Sequence, residues 1–154
     1  MANFTFNIAK GRAVEFYNRV ENNDPSTSAL ILVPLSLSGT EAQGQDFDTL
    51  AAVLGDANFT EQTTSWSRKT LTDTELAALP APDDTNNRYS VANPQVTWTG
   101  PTASNNTTGL LVCYDADTGT GTDANIIPIS HHDFAVTADG NDVVLQVGDF
   151  LRAS

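Results

Sequence analysis

The stretch from Thr107 to Ala153, TTGLLVCYDADTGTGTDANIIPISHHDFAVTADGNDVVLQVGDFLRA, decides the fold class. Its apolar residues fall into short runs of strand length: GLLVCYD (109–115), NIIPIS (125–130), DFAVT (133–137), DVVLQV (142–147) and DFLRA (149–153). Turns rich in Asn, Gly, Pro and Asp separate them, and β-branched and aromatic residues dominate the runs, as a pleated and half-buried surface requires. Working back toward the N-terminus, QVTWT (95–99) and RYSV (88–91) continue the pattern. From Asn87 onward the chain therefore reads as an antiparallel meander or sandwich. The segment Thr137-Ala138-Asp139-Gly140-Asn141-Asp142 lies between two of these runs, and its Asp-Gly pair suits the positive φ angles of a tight turn. It predicts a hairpin.

The N-terminal half mixes two periods. Phe4, Phe6 and Ile8 alternate like a strand, whereas Ala13, Phe16, Tyr17 and Val20 recur at helical spacing. Asn22-Asn23-Asp24-Pro25-Ser26 is a series of turn residues, and Pro25 keeps Asp24 out of the α region, so the helix stops before it. ALILVPL (29–35) is a continuous apolar run of strand length, in which Pro34 implies an edge position or a bulge. A second helix is predicted from Asp46, with Phe47, Leu50 and Leu54 on one face and Gly55 as its C-cap. A third is predicted over 72–79, where Thr72 and Glu75 stand at capping-box spacing and Pro80 ends the pattern. Ser38 to Gln45 and Pro80 to Asn87 are the predicted exposed loops. The implied class is mainly β (α+β): an antiparallel β-sandwich or barrel-like sheet, with two or three short helices in the N-terminal half. The 154 residues suit a single compact domain, residues 1–8 forming either an arm or the first strand.

Composition restricts the function classes. Hydrophobic residues make up 40% and charged residues 17%, enough apolar surface for a packed core. Seven Lys and Arg against nineteen Asp and Glu give a net charge of -12, which repels phosphate backbones and anionic membranes. Nucleic acid and membrane are therefore excluded as expected partners. The single cysteine, Cys113, allows no intramolecular disulfide, and its place in an apolar strand predicts inert packing. The opening MANFTFNIAKGR has no apolar stretch long enough for a secretion signal, so synthesis in a cytoplasm is expected. The sequons at Asn3, Asn58, Asn105 and Asn106 then reflect composition alone.

Three groups of residues could carry chemistry. His131-His132 beside Asp133 combines imidazole with carboxylate, but neighbours on a strand point to opposite faces, so a structural pair at a strand start is expected. Asp115, Asp117 and Asp123 alternate with glycines in DADTGTGTD, the best candidate for a calcium loop. It departs from the EF-hand pattern, because Gly119 stands where an oxygen ligand belongs and Ile126 where the closing Glu would be, and a solvated loop is the expected state. Trp98 in VTWT predicts core. Trp66, in polar surroundings, is the stronger interface candidate, together with Phe4, Phe6 and Ile8, whose alternation suits either an added strand on a neighbouring subunit or the first strand of the chain's own sheet. No phosphate-cradling loop, dinucleotide fingerprint or nucleophile elbow is present, so no catalytic residue and no cofactor is expected beyond the calcium option.

Several stretches taken together resemble a family of small virion proteins of siphophages infecting actinobacteria and other hosts. They are FNIAKGRAVEFYNRVENNDP, ALILVPL, DFDTLAAVL, RKTLTDTELAALPAPDDTNNRY, VTWT, GLLVCYDADT, TDANIIPISHHDFAVTADG and the terminal FLRAS. The resemblance spans nearly the whole chain and implies a structural role in a particle rather than a reaction. Head decoration, with major capsid protein and further copies of itself as partners in a homo-oligomer such as a trimer, is the leading expectation. A neck or tail component is the alternative, and a carbohydrate- or ion-binding module using the Asp115–Asp123 loop and Trp66 belongs to a different class.

Overall fold

The computed structural model describes residues 3–39, 42–146 and 148–153. Met1 and Ala2 of the predicted arm, Thr40 and Glu41 of the predicted loop, Val147 of a predicted strand and the terminal Ser154 lie outside the described residues. The element order is β1 (Phe4–Thr5), α1 (Ala13–Glu21), β2 (Ala29–Leu37), α2 (Leu50–Gly55), β3 (Phe59–Glu61), β4 (Lys69–Leu71), β5 (Tyr89–Asn93), β6 (Val96–Trp98), β7 (Thr107–Asp115), β8 (Ile127–Val136), β9 (Val143–Leu145) and β10 (Gly148–Ala153). Short 3-10 segments cover Asn7–Ala9 and Ala42–Asp46. The fold is mainly β, as the pattern implies.

A six-stranded antiparallel sheet in the order β1-β8-β7-β2-β3, with β4 also on β2, forms the middle layer. The pair β2 and β7 explains the two continuous apolar runs. Odd and even residues of a strand face opposite sides, and here both sides are covered, so alternation disappears and every position is apolar. Leu30 and Leu32 of β2 join Leu110, Val112 and Tyr114 of β7 in one core, together with Phe16, Tyr17 and Val20 of α1 and with Trp66, Val91 and Trp98. Ile31, Val33 and Leu35 join Leu111 and Cys113 in a second core, closed by Leu50 and Val53 of α2 and by Phe6 and Phe59. At roughly 1.5–3 kcal/mol for each fully buried aliphatic side chain, these two strands dominate the fold's stability. The ribbons β5 with β10 and β6 with β9 complete the layer on the α1 side.

Pro34 lies in a central strand, yet the expected edge exists locally. β4 pairs with Leu30–Leu32 and β3 with Leu35–Leu37, so Pro34 falls in the gap between them, where a missing N–H costs no ladder bond. Its carbonyl accepts from Gln62 N at 2.9 Å.

Four local expectations need correction. The second helix starts not at Asp46 but after Thr49, whose hydroxyl caps Ala52 N at 3.2 Å. Gly55 is its last residue, and the cap that follows is Asp56 in an extended conformation. The third helix is absent: Thr72 N and Oγ1 both donate to Glu75 Oε2 at 2.7 Å, and Leu76 N to Thr72 O at 3.1 Å, but the chain makes one turn and leaves. A capping box stabilises a helix start without supplying the apolar face that continues it. The hairpin at 137–142 does not form either. NIIPIS and DFAVT are one strand, β8, and after the turn β9 pairs with β6 instead of folding back on β8. The turn itself survives, with Gly140 at φ 93° and Asp139 Oδ1 accepting from Asn141 N, but it docks on the 100–106 segment through Gly140 N to Pro101 O and Gly100 N to Asp142 Oδ1.

Candidate functional site

The chemistry-bearing residues of β8 are aimed by a β-bulge. Val112 pairs with Ser130 and Cys113 with Pro128, which leaves Ile129 as an extra residue on β8. Residues directly opposite each other on paired strands share a face. Leu111 opposite His131 therefore places that ring in the α2-side core, and Leu110 opposite His132 places the other ring on the α1 side. His131 is fully buried and stacks on Phe4 at 5.0 Å between ring centroids. Gly109 makes room for it, since a Cβ there would come within 2.5 Å of His131 Nε2. The adjacent histidines thus point apart, as strand geometry requires.

His132 is half-buried, and its Nε2 lies 2.8 Å from Ser130 Oγ. Burial, reinforced by the neighbouring His131 and opposed by Asp133, pushes its pKa below the ordinary imidazole range, so the ring is neutral at neutral pH. Ser130 is only 4% exposed, which keeps its hydroxyl away from any substrate carbonyl. The pair positions a ring; it does not present a nucleophile.

His132 belongs to a cleft of about 250 Å³. Leu32, Leu110 and Val112 form its floor, with Phe134 and Leu145 beside them. The rim is polar: Asn3, Asn93, His132, Asp133 and Gln146. Several of these groups are held in place by further bonds. Asn93 Nδ2 donates to Pro94 O at 3.0 Å and to Gln146 O at 3.1 Å, and Asn3 Oδ1 accepts from Asp133 N at 2.7 Å. No pattern in the sequence announces this site, because it is assembled from residues 3, 93, 132 and 146 by strand pairing alone.

The remaining site candidates have other duties. Asp115 Oδ1 accepts from Asp117 N, and Asp117 accepts from Gly119 N and from the Thr120 hydroxyl, which with other local bonds holds the Asp117 carboxyl below the usual range. Asp123 is taken by Arg68, whose guanidinium forms a fork to Asp123 (2.6 and 2.9 Å) and another to Glu61 (2.7 and 2.6 Å). Among the described residues no group of three or more His, Cys, Asp or Glu is arranged to hold a metal ion. Turn amides thus engage Asp115 and Asp117, and Arg68 engages Asp123.

Trp66 also departs from expectation. It is 1% exposed, donates Nε1–H to Asn105 O at 2.6 Å, and packs on Trp98 and Phe134. It is core, not interface. Phe6 is fully buried, while Phe4 and Ile8 pack partly buried against the same α2-side core. Of the alternating stretch, Phe4–Thr5 is strand in the chain's own sheet, where Phe4 pairs with His131 and Thr5 with Ser130, whereas Ile8 lies in the 3-10 segment Asn7–Ala9 and not in a strand. Cys113 is fully buried, and that burial pushes its thiol far above its ordinary pKa, as inert packing implies. Among the described residues no helix is long and apolar enough to cross a membrane.

No protein-family model, curated protein or solved structure matches this chain.

Proposed function

We propose that this chain is a structural component of a bacteriophage particle, a decoration protein that binds the outside of the capsid shell as a small homo-oligomer. The observation that carries the reading is the charge arrangement. Arg12 and Arg19 are both engaged by Glu15, Arg68 by Glu61 and Asp123, and Arg88 by Asp83. Much of the small basic complement is thus neutralised internally, and the net charge of -12 is left to the surface. Such a surface is repelled by DNA and complements a basic protein face, which favours the exterior of a shell over its DNA-filled interior. The sequence resemblance to siphophage virion proteins supports a place in a particle and leaves head, neck or tail open. Repeated copies on a lattice would stabilise the shell by linkage, since each binds only the assembled state.

The test is the copy number relative to major capsid protein in purified particles, measured before and after tails are detached. A high ratio retained by the heads is the expected result. A low ratio, or loss with the tails, replaces decoration by a neck or tail role, and absence from particles overturns the reading.

A further inference from the structure

We infer that the cleft beside β8 is a binding site for a single neutral sugar ring, a property independent of where in a particle the chain sits. The volume of about 250 Å³ falls below the roughly 300–1,000 Å³ of pockets that take drug-sized ligands, so the occupant is one ring and not an extended chain. The floor of Leu110 and Val112 with Phe134 beside it is apolar and suits the C–H face of a pyranose. The rim supplies donors and acceptors side by side. Asn93 spends its Nδ2 on two backbone carbonyls and keeps Oδ1 as an acceptor, whereas Asn3 spends Oδ1 on Asp133 N and keeps Nδ2 as a donor. The amide of Gln146 adds both kinds. A hydroxyl donates and accepts at once, so adjacent hydroxyls match this alternation.

Charge narrows the class further. The lining holds no Lys or Arg among the described residues, so phosphates, sulfates and carboxylates find no cation to pair with. Two of the rim amides are fixed by bonds to the backbone before a ligand arrives, which lowers the ordering cost of binding. The ligand is a free monosaccharide or the terminal unit of a glycan, two sources with the same ring chemistry.

The experiment is an amide-resolved NMR titration of the full chain with glucose, galactose, mannose, N-acetylglucosamine and, as the anionic counterpart, glucuronate. At least one neutral sugar is expected to bind with a Kd of roughly millimolar, as few contacts allow, and to shift amides at 92–93, 132–134 and 145–146. Asn3→Ala and Gln146→Ala, both changes of exposed side chains, should each weaken binding by about tenfold while leaving the rest of the spectrum in place. Methyl glycosides separate the sources: undiminished binding marks a glycan terminus, and loss on methylation marks a free sugar. Glucuronate binding as well as the neutral sugars overturns the assignment of ligand class. No saturable shift with any sugar, or shifts confined to residues outside the cleft, overturns the site.

Discussion

Trp66 sits in the polar run SWSRKT, and nothing in that run shows that its indole closes the α1-side core against Trp98 and Phe134. The partners lie more than thirty residues away, so local polarity misleads. Trp66→Ala should cost about 3–5 kcal/mol in denaturant unfolding; a loss under about 1 kcal/mol would mean that the indole is not core. Gly109 carries an equally hidden demand. Gly109→Ala drives a methyl into the His131 ring and toward Leu37 Cδ1 at 3.1 Å, and should destabilise by about 1–3 kcal/mol although it adds only one carbon. Arg68 is the residue whose removal changes the pH response. Its guanidinium holds the Asp123 carboxyl below its usual range. The stability this lends is fully present above the ordinary carboxylate range and is lost as pH falls through the depressed value, below about pH 4. Arg68→Met leaves Glu61 and Asp123 without their shared cation, which removes the cause that holds the Asp123 carboxyl low. The variant should be weaker by about 2 kcal/mol at neutral pH and should recover part of that as pH falls from 7 toward 4.5, where the parent shows no such recovery. Melting temperatures of the two proteins across that range check the sign.

Elements were legible wherever one strand's own composition decided them. ALILVPL and GLLVCYD are apolar at every position because both faces are covered, and no helix of that length and punctuation competes. The α1 stripe of Ala13, Phe16, Tyr17 and Val20 is buried as its spacing predicts. Pairing was not legible. The Asp139-Gly140 turn is real, but whether β9 returns to β8 or crosses to β6 is settled by Trp98 and the 100–106 segment, which the turn sequence does not encode. The cleft is illegible for the same reason, since β8, β5 and the β9–β10 junction supply its rim. Helix α2 shows a smaller version of the limit: Asp46 offers an acidic start, yet Thr49 is the residue in extended conformation that caps it. Thr49→Ala should therefore cost about 1 kcal/mol, and Asp46→Ala should leave the helix start intact. Gly140→Ala, at φ 93°, should cost about 1 kcal/mol or more through strain in the turn, without abolishing the β6–β9 pairing in hydrogen exchange.

At the scale of the whole molecule, an excess of twelve negative charges acts on folding and on the proposed docking with opposite signs in salt. The folded chain concentrates carboxylates that the unfolded chain spreads out, so their mutual repulsion destabilises the compact state, and salt relieves it. Raising ionic strength from about 10 mM to about 500 mM, which shortens the Debye length from roughly 30 Å to under 5 Å, should raise Tm by a few degrees. The proposed attachment to a basic shell face would use the same charges through attraction, so on that reading the same salt should release the protein from heads while leaving it more stable in solution. The contrast is diagnostic because denaturation cannot mimic it. Loss from particles with a rising Tm identifies electrostatic docking, whereas loss with a falling Tm means that the subunit unfolds off the lattice. Retention at high salt assigns the contact to apolar surface instead, and among the described residues the exposed large apolar side chain is Val144 of β9. Val144→Lys would then be the variant that detaches it.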